Sequence, residues 1–121
     1  MITAILPLIT VPQGADFVYP ITWSSKVGEV TTPVDLTGCT ARMQARARIN
    51  DADALFTLTT ENGGIVLGGE TGQIELVFAA EMTVTHVWSR AVFDVEVILP
   101  SGKIRRLCKG SLVLDREVTR D

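Results

Sequence analysis

Runs in which apolar and polar residues alternate with a period of two recur along this chain, and Gly, Pro, Asn and Asp break them at short intervals. Alternation of that period sets successive side chains on opposite faces of a strand. Many short runs of this kind, each closed by a turn signal, predict an all-β sandwich. Asp16 to Trp23 is the first clear case, with Phe17, Tyr19, Ile21 and Trp23 on one face. Pro20 falls on the other register, and its missing N–H confines the strand to a sheet edge. From Cys39 to Arg48 the small and apolar residues Cys39, Ala41, Met43, Ala45 and Ala47 alternate with Thr40, Arg42, Gln44, Arg46 and Arg48. The second set predicts a face that is wet or meets an acidic partner.

Downstream, Asn50-Asp51-Ala52-Asp53 reads as a turn, Leu55 to Thr60 as a Thr-rich strand, and Asn62-Gly63-Gly64 as another turn. Ile65 to Leu67 is a short strand, and Gly72 to Phe78 sends Ile74, Leu76 and Phe78 inward. The rhythm breaks between Ala80 and Trp88, where the Ala80-Glu81-Met82 composition permits a helical turn. Arg90 to Leu99 puts Phe93, Val95 and Val97 on one face and Asp94 and Glu96 on the other, which marks the first three as core. Pro100-Ser101-Gly102-Lys103 predicts a hairpin into Ile104 to Leu114. In that return strand Arg106 and Gly110 share a parity with Cys108 and Leu112, which predicts a bulge near Gly110. The expected architecture is seven to eight antiparallel strands with at most one short helical turn, forming a single domain over residues 13–121.

Residues 1–12 form an arm or edge strand that does not fit the alternation. Both of its faces are apolar, and Pro7 and Pro12 keep it from the middle of a sheet. A strand that is apolar on both sides needs cover on both sides. Ile2, Ile5, Leu6, Leu8 and Ile9 are therefore candidate interface residues, expected to add to a neighbour's sheet or groove. The alternative is an arm folded back on its own sandwich.

Composition narrows the function classes. With 121 residues, 11 Lys and Arg against 14 Asp and Glu, and a net charge of −3, the chain makes one ordinary domain with no basic excess for a phosphate backbone. No nucleic-acid partner is expected. The apolar start lacks the basic flank and cleavage site of a signal peptide and is too short to span a bilayer, so no membrane partner is expected either. For the same reason Cys39 and Cys108 are expected as free thiols. Few side chains suit catalysis, and no enzyme, cofactor or small-molecule substrate is predicted.

The remaining candidates are each open to a plainer reading. His86 is the single His and has no ligand-type residue at metal-site spacing. Asn50 to Asp53 lacks the glycine and distal Glu of a calcium loop. The pairs Asp94 with Glu96, and Glu75 with Glu81, fall on outward faces where charge belongs anyway. The Gly63 to Gly72 glycines are too irregular for a phosphate loop and read as turns. Arg42, Arg46 and Arg48 would form a positive strip with Arg105, Arg106 and Lys109 if their strands share a sheet; a solvated face is the alternative. Trp23 and Trp88 would be core, or, if exposed, a stacking platform for a sugar.

Taken in order, Gln13-Gly14-Ala15-Asp16-Phe17, Asp35-Leu36-Thr37-Gly38 leading into a strand that ends in Arg, Thr60-Glu61-Asn62-Gly63-Gly64, Gly72-Gln73-Ile74, Phe93-Asp94-Val95-Glu96-Val97 and Pro100-Ser101-Gly102 resemble small structural proteins of tailed bacteriophages and prophages. The match covers most of the chain through the order and spacing of short motifs. It is similar above all to the N-terminal domain of siphophage baseplate upper proteins. That resemblance implies an immunoglobulin-like sandwich in the virion, made in the bacterial cytoplasm, in a tail, baseplate or head-to-tail neck. It implies other virion structural proteins as partners, several copies per particle, and no catalytic residue. The chain is expected to end with the sandwich, without the receptor-proximal parts of those proteins. A soluble carbohydrate-binding module using Trp23 or Trp88 is the alternative function.

Overall fold

The computed structural model describes residues 4–85 and 88–119. Strand accounts for 54% of the described residues and helix for 6%. Eleven strand segments follow one another: β1 (Ala4–Ile5), β2 (Ile9–Pro12), β3 (Phe17–Thr22), β4 (Ser24–Val27), β5 (Val30–Pro33), β6 (Thr40–Arg46), β7 (Phe56–Thr59), β8 (Ile65–Leu67), β9 (Gln73–Phe78), β10 (Arg90–Ile98) and β11 (Ile104–Asp115). A 3-10 turn at Gly69–Thr71 precedes β9, and a one-turn helix, α1 (Ala80–Thr83), follows it. Four of these segments belong to the arm and to a side hairpin. The other seven are the strands of the sandwich.

The larger sheet runs β1-β11-β10-β6-β7, with β2 also on β11, and the smaller runs β3-β9-β8. Taking the seven sandwich strands in chain order, the first, fifth and fourth form one sheet and the seventh, sixth, second and third the other. This is the connectivity of an immunoglobulin-like β-sandwich with one extra strand on its larger sheet. The two inner faces enclose one core. Ala41, Met43, Ala45, Phe93, Val95 and Val97 come from β6 and β10, and Ile65, Ile74, Leu76 and Phe78 meet them from β8 and β9. Phe93, Val95 and Val97 are buried as their spacing requires.

The arm departs from the expectation of a docking element. It folds back on its own sheet, with Ala4 and Ile5 parallel to Cys108 and Lys109, and Ile9 to Pro12 parallel to Leu112 to Asp115. Ile9, a candidate interface residue, is instead a core residue together with Val11. The physical reason is that β10 pairs along one side of the twelve-residue β11, which leaves its other side an unfilled edge. A tethered neighbour fills that edge at low entropic cost. These parallel pairs are the exception to an otherwise antiparallel fold.

Two further expectations are corrected. The bulge lies at Leu107, since Val95 opposes Cys108 while Glu96 opposes Arg106. Gly110 stands opposite Phe93 for a different reason: a Cβ there would come within 3.0 Å of the Phe93 ring. Strand β6 ends at Arg46, two residues early, so Ala47 and Arg48 are exposed in the connection that follows. As expected, Cys39 and Cys108 are free thiols. They flank β10 on opposite sides, two strand spacings apart, about 9 to 10 Å before any offset along the strands, beyond the reach of a disulfide.

The Gln13-Gly14-Ala15-Asp16 segment latches β2 to α1. Gly14 N–H donates to Oγ1 of the fully buried Thr83 at 2.9 Å, Ala80 N–H donates to Asp16 Oδ1 at 2.8 Å, and the Gln13 side chain accepts from Glu117 N–H at 3.0 Å. The Asp35-Leu36-Thr37-Gly38 segment is an Asx turn in which Thr37 donates both its N–H and its hydroxyl to Asp35 Oδ1. Those two bonds, the hydroxyl first, hold the Asp35 carboxyl below the usual carboxylate range.

Candidate functional site

The outward residues of the larger sheet make the most chemically dense surface of the described chain. Strand β10 lies at its middle and contributes carboxylates, Asp94 and Glu96, while its neighbours β6 and β11 contribute cations. Register dictates this order. Glu96 lies between Arg42 and Arg106, and Asp94 between Gln44 and Lys109. The Leu107 bulge makes it possible, because one extra residue turns Arg106 to the same outer face as Lys109 despite their odd spacing. Arg42 Nε meets Glu96 Oε1 at 2.8 Å and Arg106 Nε meets Asp94 Oδ2 at 3.6 Å. Cross-strand pairs of this kind are worth about 0.2–1 kcal/mol each, so they order the face more than they stabilise the fold.

This face is the floor of an open concavity of about 920 Å³, with Ile5, Ile49 and Val92 among its apolar lining. Arg46 does not reach across it toward an acid. Its guanidinium donates to the Asp51 and Ala52 carbonyls at 3.1 and 2.9 Å and to Gln44 Oε1 at 2.7 Å, which holds the connection after β6 against the sheet. Two carbonyls of the segment considered as a calcium loop are thereby turned to a guanidinium, and Asp51 accepts from Arg48 N–H. That segment is a braced turn. Ile49 projects from this connection and is 82% exposed.

The structure thus brings together part of the predicted set. Ile5 sits level with Lys109 and is 76% exposed, so it joins Arg42 and Arg46 on one surface. Leu8 is exposed on the arm, Leu6 is half-buried and packs on the core, and Ile9 is inside. Arg48 lies off the strand, and Arg105 pairs with Val97 on the inward register before the bulge, so neither belongs to the strip. Ile2 and His86 lie outside the described residues. Glu75 and Glu81 fall on different elements, a strand face and a helical turn.

Cation and carboxylate rows of this kind can recognise another protein surface, but nothing here forms a nucleophile with an orienting base. Among the described residues no group of three His, Cys, Asp or Glu side chains could hold a metal ion. Burial, reinforced by the Asp94 carboxylate, pushes the Cys108 thiol up to about 11, which keeps it protonated. Trp88 is in the core at 8% exposure with its ring 6.0 Å from that of Phe56, so it offers no platform for a sugar. Trp23 is half-buried against the core at the end of β3.

One element escaped the pattern of alternation. Strands β4 and β5 pair as a separate two-stranded sheet with every residue exposed, and Val27 and Val30 flank its two-residue loop at 77% and 66% exposure. Gly28 opens that loop at φ 61°, the first position of a type II′ turn, where glycine is favoured. Val27-Gly28-Glu29-Val30 was the available signal. At the base of this hairpin Trp23 N–H donates to Gly72 O and Val34 N–H to Trp23 O.

No family model matches this chain, and no curated protein matches it in sequence. Among solved structures, extracellular domains 3–5 of Drosophila OTK are similar over 95% of this chain at 11% identity, with a TM-score of 0.41. The chain spans 35% of the length of that structure.

Proposed function

We propose that this chain is a non-enzymatic structural module of a tailed bacteriophage particle, in the tail, baseplate or head-to-tail neck, and that it works through protein–protein contacts. The observation that carries the contact reading is the outer face of the larger sheet, where Arg42, Arg106 and Lys109 alternate with Asp94 and Glu96 beside exposed Ile5 and Ile49. Sheets commonly turn charges to water to prevent aggregation. Here exposed aliphatic side chains stand beside the charges in a concavity, and arginine is one of the residue types that interfaces enrich.

The particle itself is supported by the ordered run of motifs from Gln13-Gly14-Ala15-Asp16 to Pro100-Ser101-Gly102, whose first members serve as the latch and the Asx turn of this sandwich. The partners on this reading are other virion proteins, with several copies of the chain in each particle. Tailed particles purified from the strain that encodes the chain provide the test. Peptides of the chain are expected in density-purified particles at a fixed ratio to the major tail protein. Particles that are complete but lack the chain overturn the reading.

A further inference from the structure

The charge of this chain is divided between its two sheets. Segments 14–35 and 60–85, which build the smaller sheet, the side hairpin and α1, carry Asp16, Glu29, Asp35, Glu61 and Glu70, and with them Glu75 and Glu81. Lys26 is the single Lys or Arg in those segments. The larger sheet has the opposite balance on its outer face, where Arg42, Arg46, Arg106 and Lys109 outnumber Asp94 and Glu96. A chain of net charge −3 therefore has one basic face and one acidic side.

Each face also holds a charge that the fold does not use. Glu75 lies on the outer face of the smaller sheet, level with Pro20 on one side and Val66 on the other, and Val18 and Val77 form the next pair. Glu75 is a half-buried residue in this aliphatic patch, and its carboxylate has no partner among the described residues. Lys109 lies on the larger sheet beside Ile5, and its ammonium likewise has no partner among the described residues. The sheet edges are poor routes to association: Pro20 interrupts β3, and the Asn62 side chain bonds the Thr57 carbonyl and Thr59 N–H of β7.

We propose that copies of this chain associate head to tail, the basic outer face of the larger sheet in one copy docking on the aliphatic outer face of the smaller sheet in the next, where Glu75 is the carboxylate among Val18, Pro20, Val66 and Val77 and meets Lys109. Like faces cannot meet in this way, because excess cations would face cations and Glu75 would face Glu75. A contact between two different surfaces repeats from copy to copy, so the product is a ring if the rotation closes and an open stack if it does not. The inference rests on the reading that the chain works by protein contacts and names a second copy as one partner.

Sedimentation of the full chain over about a hundredfold range of concentration tests it by mass action. The mass of the wild type is expected to rise with concentration at low salt and fall as salt screens the contact. Glu75→Lys and Lys109→Glu are each expected to weaken association about tenfold or more with little change in melting temperature. Glu75→Gln and Lys109→Gln, which remove charge without reversing it, should give the same direction. The variant carrying both reversals regains association, because the pair is restored with its signs exchanged; a symmetric contact between like faces would not respond so. A wild type that stays monomeric, single reversals without effect, or a double variant that stays dissociated overturns the inference. A monomeric chain still found in particles defeats this inference alone, whereas an associating chain absent from particles defeats the particle reading alone.

Discussion

At the scale of single residues, position within β10 decides what each side chain does. Val95 is fully buried between Met43 and Cys108 on the neighbouring strands, while Asp94 and Glu96 beside it face outward. Val95→Asp would place an unpaired carboxylate in the core, which costs several kcal/mol against a total stability of about 5–15 kcal/mol. Loss of the folded state is expected by circular dichroism, and an unchanged melting temperature would show the register of β10 to be displaced by one. Cys108 reports the same core through its thiol. Its folded pKa, about 11, lies above the ordinary 9.0, so its contribution to stability is complete below pH 9 and declines as pH rises toward 11. In the native protein at pH 8 a thiol reagent is expected to leave Cys108 unmodified and to react with it once denaturant is added. Equal rates in both states would contradict its burial.

At the scale of elements, the arm and the side hairpin are opposite cases. Strand β2 puts Ile9 and Val11 into the core, and burying each such side chain is worth about 1.5–3 kcal/mol. Removing residues 2–11 is therefore expected to cost about 5 kcal/mol, read as a lower denaturation midpoint, and to uncover the edge of β11. A truncated chain of unchanged stability would return the arm to the role of a free docking strand. The hairpin of β4 and β5 buries none of its residues, so replacing 25–32 with a short Gly-Ser loop is expected to shift stability by less than about 1 kcal/mol. A larger loss would mean that Val27 and Val30 have cover within the chain. Glycines distinguish the tip of this hairpin from its base, where Gly72 leads into β9. At Gly28 a Cβ would meet open space, whereas at Gly72 it would run into the Trp23 carbonyl, so only the second is sterically tied to the fold.

At the scale of the whole molecule, both sheets share one continuous core, and the arm closes it along β11. Among the described residues the buried apolar side chains form one cluster. Unfolding is expected as a single transition, with Trp88 fluorescence and far-ultraviolet circular dichroism giving the same midpoint. Separate midpoints for the two probes would mean that one sheet melts before the other. The pairing of sheets also produces a property that no single element has, a basic face and an acidic side on an acidic chain. That division is set by which strands become neighbours.

Local rules therefore determined a great deal. Period-two spacing located the core strands from Phe17 to Leu114, the buried set Phe93, Val95 and Val97, the turn at Asn62-Gly63-Gly64 and the helical turn after β9, because side-chain alternation and turn chemistry act over a few residues. The Val27-Gly28-Glu29-Val30 hairpin was equally local, but its strands bury neither face and so lack alternation. What only the tertiary structure decided concerns partners distant in the chain. An arm apolar on both faces is equally suited to a neighbour or to its own β11, and the choice depended on the side of β11 that β10 does not cover. The phase of β11 depended on Leu107, an apolar residue with no turn signature, and Gly110 served to admit the Phe93 ring rather than to bend the strand. The arginines of β6 had a legible common face, but whether they formed a bare positive strip depended on the acids of β10 lying between β6 and β11. Strand order is a property of the assembled sheets, and alternation along one strand carries no information about its neighbours.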